Sequence, residues 1–231
     1  MLAVVGSPSL MPGSVSTAAP QAGGLAAGIA RAAAAAGAEV QLVGKVGDDP
    51  AGDAVLLALA RDGVGHIALL RDAGKATPVA SPAVDPVDAA PIAALLAEAE
   101  VDDGRTSGRG PGATPPAPGL ALEPADISLG LRYVREFRVL VAAEPLDEPS
   151  AAVVMEGAAF ADAALVVIAA WGQATSAAFE AAIVLEAPEV DPDGAFAGLV
   201  GRFAAALDRG VDAADAFRAA TAEGGWERAA G

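Results

Sequence analysis

Apolar positions along the chain fall into short continuous runs and helical stripes that alternate. Leu2 to Val5 is a four-residue apolar run that predicts a buried strand. Residues 6–20, rich in Ser, Pro and Gly, read as a loop. Gly23 and Gly24 then open an alanine-rich helix to about Ala36, with Gly37 placed to end it. Residues 39–43 predict a strand and residues 44–50 a turn, with Asp49 placed to cap the next helix and Pro50 to start it. Val55, Leu56, Leu59 and Ala60 give that helix a buried stripe, which stops at Gly63 before a short strand at residues 66–70. Strand, helix and strand in alternation imply parallel pairing with right-handed crossovers, hence an α/β fold.

Prolines break residues 78–91, and residues 92–100 predict a short helix. Residues 102–118, DDGRTSGRGPGATPPAP, cannot bury apolar surface and read as a disordered linker or surface loop. Beyond it, Pro124, Ala125 and Asp126 start a helix to about Phe137, and residues 138–143 form a buried strand. A helix over residues 149–160, strands at 164–169 and 182–185, a long helix from Asp191 to about Asp208 and a final helix over 212–222 complete the prediction. No internal repeat or heptad run interrupts it, so residues 1–231 read as a single α/β domain broken by the Pro/Gly-rich loop at about 102–118.

Composition changes this picture mainly by exclusion. Of the 231 residues 54% are hydrophobic but only 4% aromatic, so the core is built from close-packed small side chains. There is no cysteine and a single histidine, His66, which removes thiolate metal sites, disulfides and cysteine nucleophiles. A formal charge of −16 argues against a nucleic-acid or anionic-membrane surface, where lysine and arginine must neutralise phosphate. The short apolar start lacks a basic leader, which points to cytoplasmic residence.

The stretch GGLAAGIARAAAAAGAEVQLVGKVGDDPAGDAVLLALARDGV resembles the N-terminal signature of the ribokinase, or PfkB, carbohydrate kinase family. It has the Gly-Gly turn, the small-residue helix, the strand, Gly-x-x-Gly-x-Asp-x-x-Gly and a helix ending in Asp-Gly-Val; Thr77-Pro78 stands where members carry Thr-Gly on a lid strand. The resemblance implies a central mostly parallel sheet with helices on both faces, its lid here reduced or absent. It also implies a sugar or nucleoside bound beside Gly23 and Gly24, with ATP and Mg²⁺ as cofactors if the protein is active and none otherwise. Substrate contacts fall on Gly23, Gly24, Gly28, Lys45 and Asp48, and nucleotide contacts on Gly172 and Gly194, with no resident metal site. A homodimer is a further implication.

The chain departs from the family pattern where chemistry is done. The loop after the first strand, Gly6-Ser7-Pro8-Ser9-Leu10-Met11, carries no carboxylate for sugar hydroxyls, and Gly28 stands where members carry an Asn. In place of Gly-Ala-Gly-Asp-Ala-Phe, with its anion hole and base, the chain reads Val190-Asp191-Pro192-Asp193-Gly194-Ala195-Phe196. Pro192 removes an N–H where donors are needed. Asp193 and Asp191 are candidates for a displaced general base; the other reading is an N-cap with an acid near the positive end of the helix. Glu144, at the end of a strand, reaches either the pocket or solvent. The expected function is ATP-dependent transfer of phosphate to a sugar or nucleoside hydroxyl, weakened or lost through the rewritten motif. The alternative is an inactive kinase fold that binds a small ligand or a protein.

Overall fold

The computed structural model describes residues 1–13, 19–80, 120–134, 136–172, 179–189, 191 and 193–224. The helix expected at 92–100 and the linker expected at 102–118 lie outside the described residues. In chain order the elements are β1 (Leu2–Val5), β2 (Ser9–Met11), β3 (Gln21–Gly23), α1 (Leu25–Ala35), β4 (Val40–Gly47), α2 (Pro50–Arg61), β5 (Val64–Gly65) and β6 (Leu69–Asp72). There follow α3 (Pro124–Tyr133), β7 (Val139–Ala142), α4 (Glu148–Phe160), β8 (Ala164–Ala169), β9 (Ile183–Glu186), α5 (Ala195–Asp208) and α6 (Ala213–Gly224).

The main sheet runs β5-β4-β1-β7-β8-β9, with β6 also paired to β4, and the paired strands are all parallel. β1 lies in the middle, with Leu2 opposite both Val40 and Val139. Strand alternation divides the core into two layers. Leu2, Val4, Val40, Leu42, Val139, Val141, Val166 and Ile168 face the layer that holds α1, α2, α5 and α6. Ala3, Val5, Val43, Leu140, Ala142 and Val167 face α3 and α4. Both faces are covered, which explains why these strands read as unbroken apolar runs.

α1 and α5 pack face to face through small residues on both surfaces. A Cβ added at Gly201 would meet Ala32 Cβ at 2.5 Å and the Ile29 carbonyl at 2.6 Å. β2 and β3 form a separate antiparallel pair, bridged to Val79 through Leu10.

Several boundaries differ from those expected. The presumed loop at 6–20 contains β2, which exists only because β3 returns to pair with it. Gly23 closes β3, and Gly24 alone precedes α1, at φ 86°. The turn expected at 44–50 is strand as far as Gly47, since β6 pairs with it to that point. The strand expected at 66–70 forms only from Leu69, as β6, while β5 precedes it and His66 and Ile67 lie in the turn between. α3 stops at Tyr133, four residues before Phe137.

Candidate functional site

The C-terminal ends of β1, β4 and β7 and the starts of α1 and α5 form one end of the molecule, where ligands of open parallel sheets bind. Ser7, just past β1, is the hub. Its N–H and hydroxyl donate to the two Glu144 carboxylate oxygens at 3.1 and 3.2 Å. Its carbonyl lies 3.2 Å from where a Gly24 Cβ would be. Gly24 therefore admits the close approach of the β1 loop, at a φ that only glycine adopts freely. Gly23 is filled differently: a Cβ there would meet Met11 Cγ at 2.5 Å, so β2 folds directly over it. No side chain caps α1, which leaves its first-turn N–H groups to this end of the molecule.

At α5 the opposite holds. The Asp191 carboxylate accepts from the N–H of Phe196 at 3.1 Å and of Ala197 at 3.2 Å. Gly194, left-handed at φ 65°, lets the chain turn back so that a residue upstream can reach the helix start. Asp193 is exposed and shares a groove of about 470 Å³ with Gly28, Arg31, Asp62 and Gly194. Gly28 itself packs on α5, since a Cβ there would stand 2.9 Å from Ala197 Cβ.

Asp191, Asp193, Gly194 and Gly28 are thus brought together, and Ser7 joins Gly24 to Glu144. Lys45 and Asp48 point elsewhere. Strand alternation turns Lys45 to the α3 face, where its ammonium lies 2.5 Å from Asp126 and 4.0 Å from Asp72. Asp48 pairs with Arg71 at 2.8 Å. Gly172, at φ 67°, donates its N–H to Glu186 at 2.7 Å. Asp49 caps α2 through the Gly52 N–H and also takes the hydroxyl and N–H of Thr77, at 2.7 and 2.8 Å. The Thr77 side-chain hydrogen bond, its backbone N–H and then the Gly52 N–H hold Asp49 below the usual carboxylate range.

Sequence reasoning weighed Glu144 but missed Ser7. A serine in a Ser/Pro loop gives no signal of its partner 137 positions away. A larger cavity, of about 810 Å³, lies between α3 and α4 at the other end of the strands and touches none of these groups. Among the described residues no group of three or more acidic, His or Cys side chains is placed to hold a metal ion.

A parallel sheet covered on both faces, with a glycine turn leading α1 beside the end of β1, is an α/β fold of the ribokinase-like kind. The sequence carries the matching signature: the pfkB family carbohydrate kinase model matches residues 8–100. The structure is similar to ribokinase from Arabidopsis thaliana complexed with ribose and ATP, at 15% identity and TM-score 0.61, over 96% of this chain and 90% of that one. It is also similar to phosphofructokinase-2 from Escherichia coli in complex with fructose-6-phosphate, at 15% identity and TM-score 0.56, over 97% and 92% of the two chains. Against an uncharacterized sugar kinase from Pyrococcus horikoshii the match covers 73% of this chain and 54% of the other's length, at 16% identity and TM-score 0.45. No curated protein matches the sequence.

Proposed function

We propose that this protein is a single-domain, sugar-kinase-like binding protein whose ATP-dependent phosphoryl transfer is weakened or lost. The observation that carries the reading is the Asp191 carboxylate on the N–H groups of Phe196 and Ala197. A helix start binds phosphate through such free N–H groups and its positive dipole end. Here a carboxylate already occupies them and adds negative charge of its own. The residues present at the start of α5 therefore do not suit a phosphate. With Gly194 where the resemblance places the catalytic Asp and Asp191 committed to the helix, Asp193 is the candidate base, in a groove whose other carboxylate is Asp62. Loss of a general base alone costs about 10²- to 10⁴-fold in rate.

The sugar side is better kept. Gly24, the open start of α1 and the Glu144 carboxylate offer donors and an acceptor for a polyhydroxy ligand, while Gly23 lies buried under Met11. A sugar or nucleoside is the class that fits them. Gly172 is the candidate on the nucleotide side.

An ADP-release assay with ATP–Mg²⁺ over a panel of sugars and nucleosides, run beside thermal shifts with each, tests this. A stabilising shift with one of them, and turnover well under the roughly 1–100 s⁻¹ of working kinases, is the expected result. Ordinary turnover abolished by Asp193→Asn would make the protein an active kinase. No shift with any compound would remove the binding role.

A further inference from the structure

We infer that Asp49 and Thr77 form a latch that fixes the small β2–β3 sheet, and with it the Gly23–Gly24 turn, to the start of α2. The residues concerned lie 28 positions apart and touch no candidate ligand group. Both Asp49 oxygens are used: Oδ1 accepts from the Gly52 N–H at 2.7 Å and the Thr77 hydroxyl at 2.7 Å, Oδ2 from the Thr77 N–H at 2.8 Å. The Thr77 hydroxyl oxygen in turn accepts from the Gly47 N–H at 2.9 Å. Thr77 is 4% exposed, one of the few polar side chains buried in the described residues. The surrounding backbone leaves no slack. A Cβ at Gly47 would meet the Lys75 carbonyl at 2.5 Å, and one at Gly52 the Gly47 carbonyl at 2.3 Å.

From Thr77 the connection runs on through backbone. Pro78 accepts from the Leu10 N–H and the Ala80 N–H donates to the Leu10 carbonyl, both at 2.8 Å. Leu10 is the register partner of Ala22, and Ser9 of Gly23. The path from a helix-capping carboxylate to the glycine turn is therefore a set of hydrogen bonds joined by short runs of backbone, with Ser9 beside Leu10 carrying it to Gly23. A cap needs one acceptor for one N–H; the second oxygen, the hydroxyl and the burial of Thr77 are extra, and they serve the tether. Asp49 and Thr77 are positioning residues, acting through Leu10. The inference holds whether or not the protein transfers phosphate.

Amide hydrogen exchange on the full chain tests it. Asp49→Asn keeps an oxygen for the cap, which Asn forms as well as Asp, but presents an NH₂ to the Thr77 N–H. Thr77→Val removes the hydroxyl at nearly constant volume. In both variants the Leu10 and Ala80 amides should exchange about tenfold faster or more, while Val4 and Val141 in the main sheet keep their rates. Thr77→Ser should restore protection at Leu10 and Ala80. Unchanged exchange at Leu10 and Ala80, or equal acceleration at all four amides, overturns the latch. Thr77→Val decides alone if Asp49→Asn does not fold.

Discussion

At the start of α5 a single carboxylate occupies two backbone N–H groups. Asp191 satisfies N–H groups that would otherwise seek an anion, so it also stabilises the helix. Asp191→Ala should lower stability by about 0.5–2 kcal/mol, the usual loss of a capping side chain, read from urea denaturation. Asp49 gives a pH-dependent counterpart. Its folded pKa lies below the ordinary 3.8, so its contribution is fully present above that value. The contribution is lost as pH falls through the depressed folded value. Urea midpoints should therefore drop below about pH 4, and Asp49→Asn should flatten part of that drop. Neither role was fully legible in the sequence. Capping by Asp49 follows from Asp-Pro before an apolar stripe, but Thr77 as its second partner does not. Asp191 was weighed as base and cap alike, and only the fold shows which N–H groups it faces.

Among the elements, the α1–α5 contact is the most exacting. Gly198 and Gly201 lie on the same helix and read alike in sequence, yet they face different surroundings. At Gly198 the nearest atom to an added Cβ is the end of the Arg202 side chain, 3.2 Å away, which can move. At Gly201 it is the Ala32 side chain and the Ile29 and Ala33 backbone. Gly198→Ala should be neutral or stabilising by up to about 1 kcal/mol through helix propensity. Gly201→Ala should destabilise by about 1–3 kcal/mol, because overpacking outweighs the same gain. Chemical denaturation of the two variants side by side checks both signs.

The elements most legible in sequence were those with strong local signals. Strand β8 at Ala164–Ala169 matches its expected bounds, and α1 and α2 end beside their glycines. β2 was missed because Ser9-Leu10-Met11 has no pattern of its own and becomes a strand only by pairing. The break at His66 and Ile67 was missed for the same reason: β4 selects Leu69–Asp72 as its partner by register, regardless of where the apolar run begins.

For the whole molecule, the −16 charge sets the response to solvent. The ion pairs of Arg71 with Asp48 and Asp53 are exposed and contribute little. Self-repulsion is the larger effect. Raising NaCl from about 10 mM to about 0.15 M shortens the screening length from about 30 to about 8 Å and should raise Tm. A flat or falling Tm over that range would show that the exposed pairs outweigh the net charge.

The central place of β1 has a consequence for how the chain folds. One edge of Leu2–Val5 is paired as soon as Val40–Val43 comes to lie beside it, but the other waits for Val139–Ala142. Until that late segment arrives, the first strand keeps a row of unmatched backbone donors and acceptors flanked by valines. Closing so long a loop is slow, and an open apolar edge is a template for pairing with another chain. During synthesis and refolding alike, self-association should begin at β1. A fragment ending before residue 139 should aggregate where the full chain does not.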